Sequence, residues 1–262
     1  MVQNIVLTAA LQEKLKTAWA QRQVILFSAP CGCGKSAAAS VLLESCAVCR
    51  WDALSEPLEP LEPDPTCDAV LLDNLQNLKS PDAQQTLCAR ILERPETHFV
   101  LLSRGPVPGW LTPFRYERRM QVFETQDLLL DQEASEKLLA LSRVSPSPAE
   151  LAAIRKNCEG YPLAFGILCH QMRGGRPYDE TVDADVRREL FTHFQTAVYR
   201  RFEPMTRRLL LDLAPFEPFD VEFARILSGN NRAGELLGEL QQDTSMFRYD
   251  DLHRCHFWPV FR

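Results

Sequence analysis

The chain has 262 residues, 45% of them hydrophobic and 24% charged, with a formal net charge of −6. That is ordinary globular material, enough for one large or two to three small domains with real cores, and no apolar run approaches the ~20 residues that span a bilayer. The acidic balance argues against a strong nucleic-acid binder, because counterion release needs clustered Lys and Arg. The basic pairs present, such as Arg118-Arg119 and Arg187-Arg188, sit among Glu117 and Glu189 and read as solvated helix faces.

Leu7, Leu11, Leu15 and Trp19 fall at helical spacing and predict an amphipathic helix over 7–20. A short apolar strand over 24–27 follows, then Ser28-Ala29-Pro30-Cys31-Gly32-Cys33-Gly34-Lys35-Ser36 and an Ala-rich helix from Ala37 to about Cys46. Strand, glycine-bearing loop, Lys-Ser and helix is the P-loop pattern. Gly32 and Gly34 can take positive φ and curl backbone N–H groups around an anion, which the positive end of the next helix also attracts. Lys35 would reach the β/γ-phosphates and the Ser36 hydroxyl would ligate Mg²⁺. Ala29 departs from the motif, standing where its first glycine belongs.

Residues 48–51 predict a second strand. The acidic, proline-rich stretch from Asp52 to Asp68, with Glu56-Pro57-Leu58-Glu59-Pro60, is unfit for helix or central strand and predicts a surface loop. Ala69-Val70-Leu71-Leu72-Asp73 is a buried-strand run that ends in a carboxylate, a Walker B type of site that would set Asp73 beside the phosphate loop and its Mg²⁺. Ser80-Pro81 caps a helix to about Arg94, residues 98–104 form a strand tipped by Ser103-Arg104, and 121–124 make a last short strand. Ligands of α/β sheets sit at the carboxyl ends of the strands, so Arg104 would point toward the phosphates. This β-α alternation predicts a three-layer α/β domain on a parallel sheet over 1–128.

The rest reads as helical: 131–141, a second helix opened by the capping box Ser147-Pro148-Ala149-Glu150 and stopped at Gly160, a third from Pro162, and a fourth over 183–202. Three short helices (202–213, 221–227 and 233–241) then precede two strand-like runs around Asp250-Asp251. That order predicts a helical domain over 129–202 and a winged-helix domain over 203–262. The nine cysteines are an odd number, without a second C-x-x-C beside Cys46 and Cys49, and read as reduced thiols. Because no basic n-region and apolar h-region open the chain, a cytoplasmic protein is expected. His253-Arg254-Cys255-His256 carries metal-ligand residue types but reads as ordinary wing residues.

The ordered series resembles the STAND NTPases, and more narrowly the ATPase region of MalT-like LuxR-family transcriptional regulators. It comprises the loop from Ser28 to Ser36, Leu71-Leu72-Asp73-Asn74, Leu101-Leu102-Ser103-Arg104, Asp127-Leu128 with Glu133-Ala134, Glu159-Gly160-Tyr161-Pro162-Leu163-Ala164 and Phe257-Trp258-Pro259. The resemblance implies an ATP/ADP switch, closed over ADP and opened by inducer plus ATP, which self-associates when active. It implies a nucleotide held by Pro30, Gly32, Cys33, Gly34, Lys35, Ser36, Ala37 and Pro162, with catalytic roles for Lys35, Asp73 and Arg104 and Mg²⁺ on Ser36 and Asp73. The helix-turn-helix that would bind DNA lies outside this sequence, so an N-terminal fragment is expected. The family's second acid after Walker B is Asn74 here, and Gln76 stands where a histidine is common. Asparagine orients a water but cannot take its proton, so slow or absent hydrolysis is expected. Trp258 replaces a histidine near the C-terminus, and Thr8 stands near the place of a common arginine. The competing expectations are an active AAA+ or loader-type ATPase, which Asn74 counts against, and a small-molecule kinase, for which no lid is visible.

Overall fold

The computed structural model describes residues 5–54, 64 and 66–258; most of the proline-rich loop expected after Asp52, and the final stretch from Pro259, lie outside the described residues. Two compact units divide between Leu128 and Leu129.

The first unit opens with α1 (Ala9–Gln21), whose N-cap Thr8 accepts the Leu11 N–H at 3.1 Å. It continues through β1 (Val24–Ser28), α2 (Lys35–Leu42), β2 (Val48–Asp52), β3 (Ala69–Asp73), α3 (Pro81–Glu93), β4 (His98–Ser103), α4 (Thr112–Tyr116), β5 (Met120–Glu124) and α5 (Thr125–Leu128). The five strands form one sheet in the order β2-β3-β4-β1-β5, every neighbouring pair parallel. In-register alternation sorts the side chains by face. Val24, Leu26, Val70, Leu72, Phe99 and Leu101 pack with Leu87 and Ile91 of α3 and Phe114 of α4. The alternate residues Ile25, Phe27, Val100 and Leu102 are equally buried and face the other way. On that side Phe27 stacks on Phe123 of β5 at 5.2 Å, and Lys14 of α1 lies 5.1 Å from the same ring. Apolar runs buried on both faces are what a parallel sheet between helices requires.

Parallel pairing brings all five carboxyl ends to one edge. Because β4 lies between β1 and β3, the Ser103-Arg104 tip falls between the loop after β1 and Asp73 at the end of β3.

The second unit contains α6 (Gln132–Leu141), α7 (Pro148–Cys158), α8 (Pro162–Gln171), α9 (Glu180–Ala197), α10 (Pro204–Leu213), α11 (Val221–Ser228), α12 (Ala233–Thr244), β6 (Phe247–Tyr249) and β7 (Cys255–Phe257). Ser147 and Glu150 close the expected capping box on α7, with Ser147 N–H donating to Glu150 at 2.7 Å. α7 ends where Glu159 and Gly160 both turn left-handed, and Pro162 occupies the first turn of α8. α9 differs from the expected 183–202. It starts three residues earlier because Asp179 caps it, and it ends at Ala197, where Val198 leaves helical geometry. β6 and β7 pair antiparallel, and Phe219 extends the pair through two hydrogen bonds with Cys255. Phe219, Phe247 and Phe257 meet there ring against ring over Leu209, Leu213, Leu236 and Leu240.

Candidate functional site

β1 ends at Ser28, and the next residue explains why the motif tolerates alanine. The Ala29 N–H pairs with the Ser103 carbonyl of β4 at 3.2 Å, and among the described non-glycine residues with positive φ Ala29 does not figure. Ala29 thus prolongs the strand, where glycine's freedom is not needed. The turn itself uses that freedom at Gly32 (φ 85°) and Gly34 (φ 86°), conformations in which a Cβ would be strained. Gly34 is also the N-cap of α2 and offers no side chain to the helix's first turn. The first N–H groups of a helix have no intrahelical acceptors, so Lys35, Ser36 and Ala37 begin α2 with donors directed at the loop's interior. The helix begins two residues earlier than expected for this reason.

Lys35 is buried and folds back over this loop, its Nζ donating to the carbonyls of Ala29 (2.6 Å) and Pro30 (2.7 Å). Burial pushes its pKa below the ordinary lysine value; Cys33 and Cys31 raise it, Arg104 lowers it and Asp73 raises it. The charges of Arg104 and Asp73 therefore both reach Lys35, although they stand on different strands. A buried ammonium that donates to two neutral carbonyls would gain from a full negative charge, and an anion in the loop would supply it. Cys33 is fully buried in the loop, while the Ser36 hydroxyl is exposed at its mouth.

At the end of β3, Asp73 is half-buried and its Oδ1 accepts the Asn74 N–H at 2.6 Å. Asn74 takes a left-handed backbone (φ 56°), which asparagine tolerates better than most residues. Asn74 and Gln76, which stand where an acid and a histidine are common, both serve as ties between strand tips. Asn74 Nδ2 donates to Asp52 Oδ1 at the end of β2 (2.8 Å), Gln76 Nε2 reaches Asn74 Oδ1 (3.3 Å), and the Arg104 N–H donates to Gln76 Oε1 (3.0 Å). A polar chain thus joins the tips of β2, β3 and β4. On the β4–β1 side, Ser103 and Ser28 hydroxyls both donate to the Gly105 carbonyl, at 3.0 and 2.9 Å. Asp52, expected at the start of the surface loop, is instead the last residue of β2, and that strand-end place is its signal.

The structure therefore gathers Pro30, Gly32, Cys33 and Gly34 in one loop, continues it with Lys35, Ser36 and Ala37 in the first turn of α2, and sets Arg104 and Asp73 at neighbouring strand tips. Pro162 belongs to the second unit, at the start of α8. The residues that would hold Mg²⁺ are hard oxygen donors, an exposed hydroxyl on Ser36 and a carboxylate on Asp73, which suits that ion. His256 faces Asp250 (3.2 Å) and Glu217 (3.4 Å), and no group of three metal-binding side chains occurs among the described residues. All nine cysteines are free thiols.

No protein-family model matches the chain, and no curated protein aligns with it significantly. Solved structures do. A Walker-type ATPase of Pyrococcus abyssi superposes with TM-score 0.69 at 14% identity, over 97% of this chain and 93% of that one. Domain III of the replication initiation protein DnaA of Thermotoga maritima gives 0.50 at 13% identity, over 71% of this chain and 94% of that one. The Orc1 protein of Aeropyrum pernix, solved in complex with DNA, gives 0.50 at 12% identity over 94% and 87%. At such identities the likeness is one of fold, and the fold is that of the P-loop NTPases.

Proposed function

We propose that the chain is a nucleotide-dependent signalling switch, the regulatory NTPase part of a LuxR-type transcriptional regulator of the STAND class, cytoplasmic and with slow or absent hydrolysis. The observation that carries the reading is Lys35, a buried cation folded onto loop carbonyls above an uncapped helix turn. In the bound state Lys35 exchanges those carbonyls for the β/γ-phosphates, and the N–H groups from Gly32 to Ala37 line the α/β-phosphates. Mg²⁺ on Ser36 and Asp73 would neutralise charge between the β- and γ-phosphates. Arg104, on the strand tip between them, faces the γ-phosphate. Pro162 as a contact to the base or ribose rests on the resemblance around Gly160-Tyr161-Pro162.

The reading divides the second unit into a helical domain (129–202) and a winged-helix domain (203–262), supported by three helices followed by an antiparallel pair. α12 would be the reading helix of such a domain, but it carries Glu235, Glu239 and Asp243 and no Lys or Arg. A helix so charged meets DNA phosphates with repulsion. DNA binding is accordingly not assigned to α12, and self-association is assigned to the ATP-bound state.

A second reading, an active ATPase of the AAA+ kind, draws on the likeness to a Walker-type ATPase and to DnaA domain III. Calorimetry and turnover separate them. The switch binds ADP and Mg-ATP, releases phosphate over minutes to hours, and loses binding in Lys35→Ala. Many turnovers per second favour the motor, and unchanged ADP affinity in Lys35→Ala refutes the site.

A further inference from the structure

We infer that Asp52, at the end of β2, is the carboxylate that accepts the proton of the attacking water, the role left unfilled by an asparagine after Asp73. The inference rests on the nucleotide reading above and adds a catalytic residue to it.

Asp52 and Asp73 are register partners of adjacent parallel strands. Partners in register point to the same face of a sheet, with strands about 4.8 Å apart. That face is the one opposite Val70 and Leu72, whose side chains pack against α3. Two carboxylates therefore end neighbouring strands on one side, at the edge where the phosphate loop lies. β2 is outboard of β3 and away from β1. In an in-line displacement the attacking oxygen stands opposite the leaving one, and the leaving oxygen belongs to the diphosphate held in the loop after β1. A base for that water belongs on the side away from the loop, where Asp52 is.

Asp52 is also fixed in orientation. Its Oδ1 accepts from the Leu54 N–H at 2.9 Å, an ordinary turn bond, and from Asn74 Nδ2 at 2.8 Å, which is a tie across strands. Asn74 is itself 92% buried and its oxygen is held by Gln76. The residue that replaces the expected acid thus positions an acid one strand away. The step balances without a further reagent. Water oxygen bonds to the γ-phosphorus, its proton passes to Asp52, the bond from γ-phosphorus to the bridging oxygen breaks, and ADP departs with that electron pair. Asp52 then returns the proton to solvent.

The test uses the full chain with ADP calorimetry and single-turnover phosphate release from Mg-ATP, for wild type, Asp52→Asn and Asn74→Gly. Removing a general base lowers a rate by about 10²–10⁴, so Asp52→Asn should release phosphate at least ~100-fold more slowly while its ADP affinity stays within about threefold of wild type. Asn74→Gly keeps the left-handed backbone without the amide and should slow release by a smaller factor. Asp52→Asn releasing phosphate at the wild-type rate, or a wild type that binds Mg-ATP and never hydrolyses it, overturns the assignment. A wild type that binds neither nucleotide removes the nucleotide reading itself, and this inference with it.

Discussion

Lys35 in the ligand-free loop has a measurable signature. Burial lowers its pKa below 10.5, so between the folded value and 10.5 the unfolded chain binds more protons than the native one. In that window stability rises with pH. Comparing wild type with Lys35→Met cancels the groups not coupled to the lysine, and the difference should move in favour of wild type as pH is raised toward about 10.5. A pH-independent difference in denaturation midpoint would remove burial as the cause. Asn74 gives a second residue-scale outcome. Asn74→Asp would place a second carboxylate where an amide now donates to Asp52 at 2.8 Å. Replacing that donor by a like charge should destabilise the first unit by about 1–3 kcal/mol at pH 7, with recovery as pH falls and one acid protonates. An unchanged melting temperature at pH 7 would mean that the Asn74–Asp52 bond is not made in solution.

At the scale of elements, Gly160 has no room for a side chain. Its φ is +76°, a Cβ there would meet the Leu130 carbonyl oxygen at 2.6 Å, and the Leu130 N–H already bonds to Gly160 at 2.8 Å. Gly160→Ala combines left-handed strain with a backbone clash and should lower stability by about 2–4 kcal/mol in denaturant titration. A loss below about 0.5 kcal/mol would show that the turn relaxes. The sequence spelled this turn plainly, as it did β3 and the capping box at Ser147, because glycine, proline and paired Ser/Glu each have one strong local meaning. It was silent on α4 and α5, which span only five and four residues and are too short to show a hydrophobic period. It misplaced the start of α9 at Asp183, which lies in the first turn and bonds Arg187 at 2.8 Å, while Asp179 does the capping. Two acids four residues apart look alike until the chain chooses. In the site, Lys35 and Asp73 were legible from spacing behind a glycine loop. Asp52 was not, since its partner is fixed by strand register, which no local pattern states.

For the whole molecule, the division between Leu128 and Leu129 makes a two-part prediction. A nucleotide that binds only the native first unit stabilises that unit by mass action, about 2.7 kcal/mol at a concentration of 100 Kd. ADP should therefore raise the melting temperature whether or not the chain is a switch. A switch adds a second effect, because a ligand shifts a conformational equilibrium only through differential affinity for its two states. If ADP favours a closed state through Pro162 as well as Lys35, it should also slow proteolysis between Leu128 and Pro148. Pro162→Gly should then weaken ADP binding and abolish the protection, while circular dichroism and the melting of the first unit stay unchanged. Equal cutting of that stretch with and without ADP, alongside a normal rise in melting temperature, would leave a competent nucleotide site whose neighbour takes no part in it.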